Sequence, residues 1–285
     1  MMDQEEEYVR RTLKVLIYIE ENIDEDFTLE RLAKIACYSP FHFHRIFQAI
    51  VGETVHGYIK RLRMQTAAGK LRYTEQPVTA IALDASFETL SAFTRAFKQF
   101  MGSSPKNYRS LNSAVNTMTQ KLKELPMIKP DKIEKSLPDL NLLFVRRYGN
   151  YTQSPWTAWQ AMIGFINENH LDRSKMRYFG ISHDDPQVTS EDKLRYDAAI
   201  FVPKGSKEKG EVGHQMLKGG KYAIFTHHGS YDGLEEAFNR IFLKWLPDSK
   251  EICDESRAVF CEYFNMEHVR TEPAKLVTEL YIPLK

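Results

Sequence analysis

Phe43-His44-Arg45-Ile46-Phe47 and Phe93-Thr94-Arg95-Ala96-Phe97 repeat one pattern, Phe-x-Arg-x-Phe, fifty positions apart. The echo runs on at the same offset through Gly52 and Gly102, Thr54 and Ser104, and Tyr58 and Tyr108. One structural unit used twice is the simplest reading. Side chains at i and i+4 leave one face of a helix, so Phe43, Phe47, Phe93 and Phe97 are expected in cores. The arginine between each pair points elsewhere. A repeated unit with an outward arginine suits a ligand that itself repeats, and duplex DNA is one.

Working outward, Val9, Leu13, Leu16, Ile17 and Ile23 predict an amphipathic helix over roughly residues 5–23. Thr28 caps a short helix over 29–36, and Ser39-Pro40 opens a third that reaches about Val51. Two helices joined by so short a turn make a helix-turn-helix. The second copy has Ala82 and Ala85 on a short helix after Pro77, a turn over 86–89, and a helix from Leu90 to Met101. Between the copies, residues 55–73 read as one long basic helix that holds the units apart. Units so held can enter successive major grooves, about 34 Å apart on one face of DNA.

Bulk properties agree with that reading. A chain of 285 residues suggests about two domains. No apolar run approaches the roughly 20 residues of a membrane helix, and the acidic start lacks the basic and apolar regions of a signal peptide. Cys37, Cys253 and Cys261 are odd in number and widely spaced, which indicates neither a disulfide framework nor a zinc ribbon. The expected location is cytoplasmic. The net charge of +1 is unevenly spread: residues 27–110 carry twelve Lys/Arg against five Asp/Glu, and residues 1–26 carry three against nine. Positive charge thus falls on the duplicated segment, as phosphate binding requires. His42 and His44, at i and i+2, face different ways and do not indicate a metal site. No motif calls for a cofactor.

After Arg109 a polar stretch over 111–124 reads as a linker or a short connecting helix. Beyond it the texture becomes β-rich. LNLLFVRRY, MRYFGIS and LRYDAAIFVP read as strands with a helix after the first. KYAIFTHHG, a helix over LEEAFNRIFLKWL, AVFCEYF and KLVTELYIPL repeat that order, and Gly149-Asn150-Tyr151 matches Gly229-Ser230-Tyr231. The expectation is a duplicated β-α-β-β unit. It would form a curved antiparallel sheet with helices on one side and a groove between the halves.

IALDASFETLSAFTRAFKQFMGSSPKNYR resembles the signature segment of AraC/XylS-type bacterial transcription regulators, and FTLERLAKIACYSPFHFHRIFQAIVGETVHGYIKRLRM resembles their first helix-turn-helix. Ser86 stands where many members have glycine. The later segments GISHDDP, THHGSYDGL, KWLP and TELYIPLK resemble the GyrI-like effector-binding domain, and the domain order resembles the Rob subgroup. The fold class expected is therefore multi-domain. An all-α double helix-turn-helix domain (residues 1–110) and a linker (111–124) precede an α+β GyrI-like domain (125–285).

The resemblance implies a DNA-binding transcription regulator, activator or repressor. Its partners would be double-stranded DNA, a small-molecule effector that is cationic or aromatic, and RNA polymerase as a candidate. It would work as a monomer or weak dimer, with no membrane. By register the family's base-reading positions fall on Phe41, His44 and Arg45 in the first recognition helix, and on Leu90, Ser91, Thr94 and Arg95 in the second. Arginine can hold guanine O6 and N7 together, and apolar side chains can meet a thymine methyl. The family's acidic residue on a late strand corresponds to Glu262, between Phe260 and Phe264 on one strand face. Tyr148, Tyr151 and Trp159 are candidate stacking partners for a ligand. Glu262 paired with a nearby arginine is the competing reading. A hydrolase with Glu262 as general base and a protein-binding module are the alternatives for this domain. No Ser-His-Asp order, HExxH or phosphate-binding glycine loop supports catalysis.

Overall fold

A computed structural model of the chain describes residues 4–113, 128–201, 208–254, 256–266 and 272–285. The chain divides into two compact units between the last helix of the repeat and the first strand. The expected linker lies outside the described residues from 114 onward, and 111–113 continue a helix.

The first unit is helical: α1 (Gln4–Glu21), α2 (Leu29–Ile35), α3 (Pro40–Val51), α4 (Val55–Tyr73), α5 (Val78–Asp84), α6 (Leu90–Met101) and α7 (Pro105–Ser113). The starts of α3, α4, α6 and α7 each have a hydroxyl cap that satisfies an otherwise orphan amide, whereas α5 follows Pro77 with no side-chain cap. Ser39 Oγ accepts from His42 N and Thr89 Oγ1 from Ala92 N; Thr54 Oγ1 accepts from Gly57 N and Ser104 Oγ from Asn107 N. Gly52 and Gly102 end α3 and α6 in the left-handed conformation, φ 77° and 76°, which explains their echo. The four phenylalanines are wholly buried. Phe47 meets Tyr58 at 5.8 Å and 79°, and Phe97 meets Tyr108 at 5.4 Å and 77°, so the duplication persists into ring geometry.

The second unit holds β1 (Lys132–Leu137), β2 (Leu140–Tyr148), α8 (Ser154–Glu168), β3 (Arg177–Ser182), β4 (Arg195–Phe201), β5 (Gly213–Leu217), β6 (Gly220–His228), α9 (Leu234–Arg240), α10 (Leu246–Ser249), β7 (Val259–Tyr263) and β8 (Val277–Pro283). A π-helical turn, Ile241–Trp245, joins α9 to α10. The strands form one antiparallel sheet in the order β1-β6-β8-β7-β3-β4-β2-β5. Its two halves, β2-β4-β3 and β6-β8-β7, meet where Gly180 lies opposite Cys261. The expected repeat lacked β1 and β5. Each half is β-β-α-β-β, and its first strand pairs with the other half, β1 with β6 and β5 with β2. Of these edge strands, KIEKSL is mostly exposed on both faces, and GHQML buries only Gly213 and Leu217 of its five residues, so neither carries an apolar alternation long enough to read.

One face of the sheet packs under the helices. Ala158, Trp159, Met162 and Phe165 of α8, with Ala237, Ile241 and Trp245, cover Val145, Tyr178, Tyr196, Ala198, Phe225, Cys261, Tyr263 and Leu280. The opposite face is closed by its own aromatics: Phe260 stacks on Tyr281 at 4.4 Å and 13°, with Phe179 and Tyr222 against it.

Candidate functional sites

Both turns that set the recognition helices hold a non-glycine residue in the left-handed region, Cys37 at φ 56° and Ser86 at φ 60°. The hydroxyl caps then fix where α3 and α6 begin. With Phe43, Ile46 and Phe47 turned into the core, Phe41 (74% exposed) and Arg45 face solvent and His44 is half-buried. On α6, Phe93 and Phe97 are buried, Leu90, Ser91 and Arg95 are exposed and Thr94 is half-buried. All seven positions expected to read bases therefore lie off the buried stripe. Neither Arg45 nor Arg95 makes an ion pair among the described residues; Arg45 rests 5.9 Å from the Phe41 ring.

Much of the segment's positive charge is committed elsewhere. Arg61 is buried against Glu53 at 2.7 Å, and Lys70 pairs with Asp84 at 2.6 Å. Arg63 donates to the Ile23 and Glu25 carbonyls, and Arg109 to those of Leu71 and Gln76. The long basic helix is held partly by its own cations. Lys60, Lys98 and Lys106 are exposed and make no ion pair among the described residues.

In the second unit the four expected ligand residues do not converge. Glu262 lies on the helix-free face, 4% exposed, in a bidentate pair with Arg177 (2.7 and 2.8 Å), and Tyr281 Oη donates to it at 3.1 Å. Its charge is met inside the chain, from a residue 85 positions away. Tyr148, at the end of β2, shares that face by alternation and is 43% exposed. Trp159 and Tyr151 sit on the helix-bearing side.

There the structure assembles a group that sequence reasoning largely missed. Trp159 Nε1 donates to Tyr196 Oη at 3.1 Å, and Tyr196 Oη lies 3.1 Å from Tyr263 Oη. The Trp159 ring is 5.8 Å from Tyr263 and 6.1 Å from Tyr178. Tyr151 leans on Tyr196 at 6.4 Å and Tyr231 on Tyr263 at 5.3 Å, so the matched junctions of the two halves bring equivalent tyrosines to the middle. That match was the available signal. Gly180 makes the meeting possible, because a Cβ there would lie under 3.0 Å from both the Tyr196 and Tyr263 hydroxyls. Burial pushes the Cys261 thiol up to about 12 and the Tyr196 and Tyr263 hydroxyls above their ordinary value, so all three stay protonated at neutral pH. The expected groove between the halves is filled here: Trp159 and Tyr263 are 7% and 8% exposed.

A second buried charge cluster shares the helix-free face with Glu262. Asp197, fully buried, takes a bidentate pair from Arg146 (2.7 and 2.9 Å), with His183 Nε2 at 2.6 Å and Gln215 Nε2 at 3.0 Å. Burial pushes its carboxyl up, but Arg146 and His183 more than offset this and hold it well below the usual carboxylate range.

No helix among the described residues is long and apolar enough to cross a membrane. Among solved structures, the cryo-EM structure of the EcmrR-DNA complex in EcmrR-RPo aligns with 90% of this chain and 98% of its own, at 15% identity and a TM-score of 0.46. The chain is 24% identical over 286 residues to the transcriptional regulator Rob of Salmonella typhimurium, covering 95% of this chain and 96% of that one. It is 25% identical over 296 residues to the right origin-binding protein of Escherichia coli strain K12, with the same coverage. A helix-turn-helix domain family matches residues 32–110, and a family described as a GyrI-like small molecule binding domain matches residues 130–285. The chain belongs to the GyrI-like family and is an AraC-type DNA-binding transcription regulator that carries a GyrI-like small-molecule-binding domain.

Proposed function

We propose that α3 and α6 read an asymmetric DNA site of about two helical turns, with Phe41, His44, Arg45, Leu90, Ser91, Thr94 and Arg95 at the base edges. The observation that carries this reading is the doubled geometry. Two helices with equivalent caps and ring packing each project an arginine that has no ion pair among the described residues. The side chains around those arginines differ, which is why one chain suits an asymmetric site. Lys60, Lys98 and Lys106 supply phosphate contacts. The small molecule lodges on the helix-bearing side of the second unit, against Trp159, Tyr196 and Tyr263, with Tyr151 and Tyr231 at its rim. Glu262 and Tyr148 lie outside that site. The protein works in the cytoplasm, where RNA polymerase is the partner through which binding changes initiation.

Fragments of sheared genomic DNA retained by the protein, sequenced and then titrated at several salt concentrations, test the DNA reading. An enriched asymmetric motif that weakens in Arg45→Ala and Arg95→Ala is expected. A steep salt slope with no shared motif would mean that the basic face holds only phosphates.

A further inference from the structure

We propose that the outer face of α8 is a self-association surface, on which a second copy of this chain docks antiparallel across a two-fold axis. Neither the recognition helices nor the tyrosine–tryptophan cluster uses this face.

Charge is the first argument. Residues 148–167 contain no Asp, Glu, Lys or Arg, in a chain where those four types make up 27% of all residues. Burial on every side would explain that, but one side of α8 is open. Trp156 (68% exposed), Gln160, Ile163 (39%) and Asn167 face away from the sheet. The fold itself does not ask for an uncharged outer side. In the other half of the duplication α9 turns Glu235, Glu236 and Asn239 outward, while Ala237 takes the buried place that Ala158 has on α8. A face without charge has nothing to steer or select a charged partner. A two-fold contact brings like groups together, which a face of one sign resists and an uncharged face allows.

Spacing is the second argument. Trp156, Gln160, Ile163 and Asn167 advance by steps of four, three and four, the steps of a coiled-coil seam. An antiparallel two-fold axis between Gln160 and Ile163 sets Trp156 against Asn167 of the second copy, and Gln160 against its Ile163. The indole N–H then has a carboxamide oxygen to donate to, and no ion loses its water. Gly164 lies beside the seam, and a Cβ built there would meet nothing within 4 Å. No neighbour within the chain requires this glycine, and inside a helix glycine is destabilising relative to alanine. Its bare backbone lets a second helix approach closely from outside. Area sets the strength. A helix of 15 residues is about 22 Å long and 10–12 Å wide, a footprint well short of the roughly 800 Å² per partner of a standard interface. The free pair is therefore transient, and two chains held on neighbouring DNA sites would form it more readily.

Sedimentation equilibrium of the full chain from about 2 to 200 μM, in low and high salt, tests the surface. A reversible monomer–dimer equilibrium with a Kd of roughly 10–100 μM is expected, not weakened by salt. Ile163→Glu puts an acid at an exposed position near the axis. It should weaken the dimer roughly tenfold or more, with far-ultraviolet circular dichroism and the urea midpoint unchanged. Gln160→Lys added to Ile163→Glu should restore most of the affinity, because the register sets each new acid against a new base of the other copy. A chain that stays monomeric throughout, or a dimer that both Ile163→Glu and Trp156→Ala leave intact, overturns the proposal; the face would then serve another partner or none. A dimer that Ile163→Glu weakens and the added lysine does not rescue overturns the antiparallel two-fold packing.

Discussion

Asp197→Asn is expected to cost the second unit more stability than Glu262→Gln, although each removes one buried negative charge from the same sheet face. Asp197 is fully buried and the side chain of its partner Arg146 is only 3% exposed. Neutralising the acid leaves a guanidinium out of water without a counter-charge, a loss of about 3–5 kcal/mol. Arg177 is 42% exposed, so when Glu262 loses its charge the guanidinium can turn to solvent. Discounted for that screening, the loss there is about 1–2 kcal/mol. All three tryptophans, Trp156, Trp159 and Trp245, belong to the second unit. Tryptophan emission during urea unfolding therefore follows that unit, and the midpoints with their slopes give the two losses. The effect of pH has a definite sign. A carboxyl depressed in the folded state contributes stability in full above its unfolded value of about 4, and loses it as the pH falls toward the folded value. The gap between wild type and Asp197→Asn should accordingly shrink on acidification below about pH 4. Equal losses in the two variants, or an Asp197→Asn loss that does not change down to about pH 3, would refute this reasoning.

The remaining predictions concern the first unit. Arg45→Ala and Arg95→Ala should each weaken binding to the selected DNA site by about 1–3 kcal/mol and relax its sequence preference, measured by competition between site variants. Lys106→Ala should weaken all sequences alike and lower the salt slope by about one, read from affinities across a salt series. Phe47→Ala and Phe97→Ala, equivalent and wholly buried, should each destabilise the helical unit by about 3–5 kcal/mol in urea melts followed by far-ultraviolet circular dichroism. Ser86→Gly, at φ 60° in the second turn, should stabilise it by about 0.5–1 kcal/mol in the same melts; a loss would mean that the serine hydroxyl has a role in the turn.

Local chemistry was enough for the helical half. Caps, glycine stops and i, i+4 phenylalanines are encoded within a few residues of where they act, and the fifty-residue echo doubles every signal. Thus α3, α4 and α6 run over the stretches their sequences predict, and the base-reading candidates fall outside the core. The sheet was legible where strands are buried apolar runs, as in β2, β3 and β4. KIEKSL escaped because it is mostly exposed on both faces, and GHQML because its one buried face holds only Gly213 and Leu217 about a half-buried Gln215.

Glu262 shows where the sequence stops informing. Alternation places it on the same face of β7 as Phe260, while Phe264 falls beyond the end of the strand and is exposed; alternation cannot say what lies across the ladder. That neighbour is set by the antiparallel pairing of β3 with β7, which brings Arg177 to the carboxylate from 85 residues away. The same pairing sets Gly180 against Cys261 and lets Tyr196 and Tyr263 meet above them, on the side opposite Glu262. By itself the sequence determined which side chains leave each helix or strand together, since that follows from backbone periodicity. Which of those faces meet was decided only by strand order and register, because these depend on contacts between residues far apart in the chain.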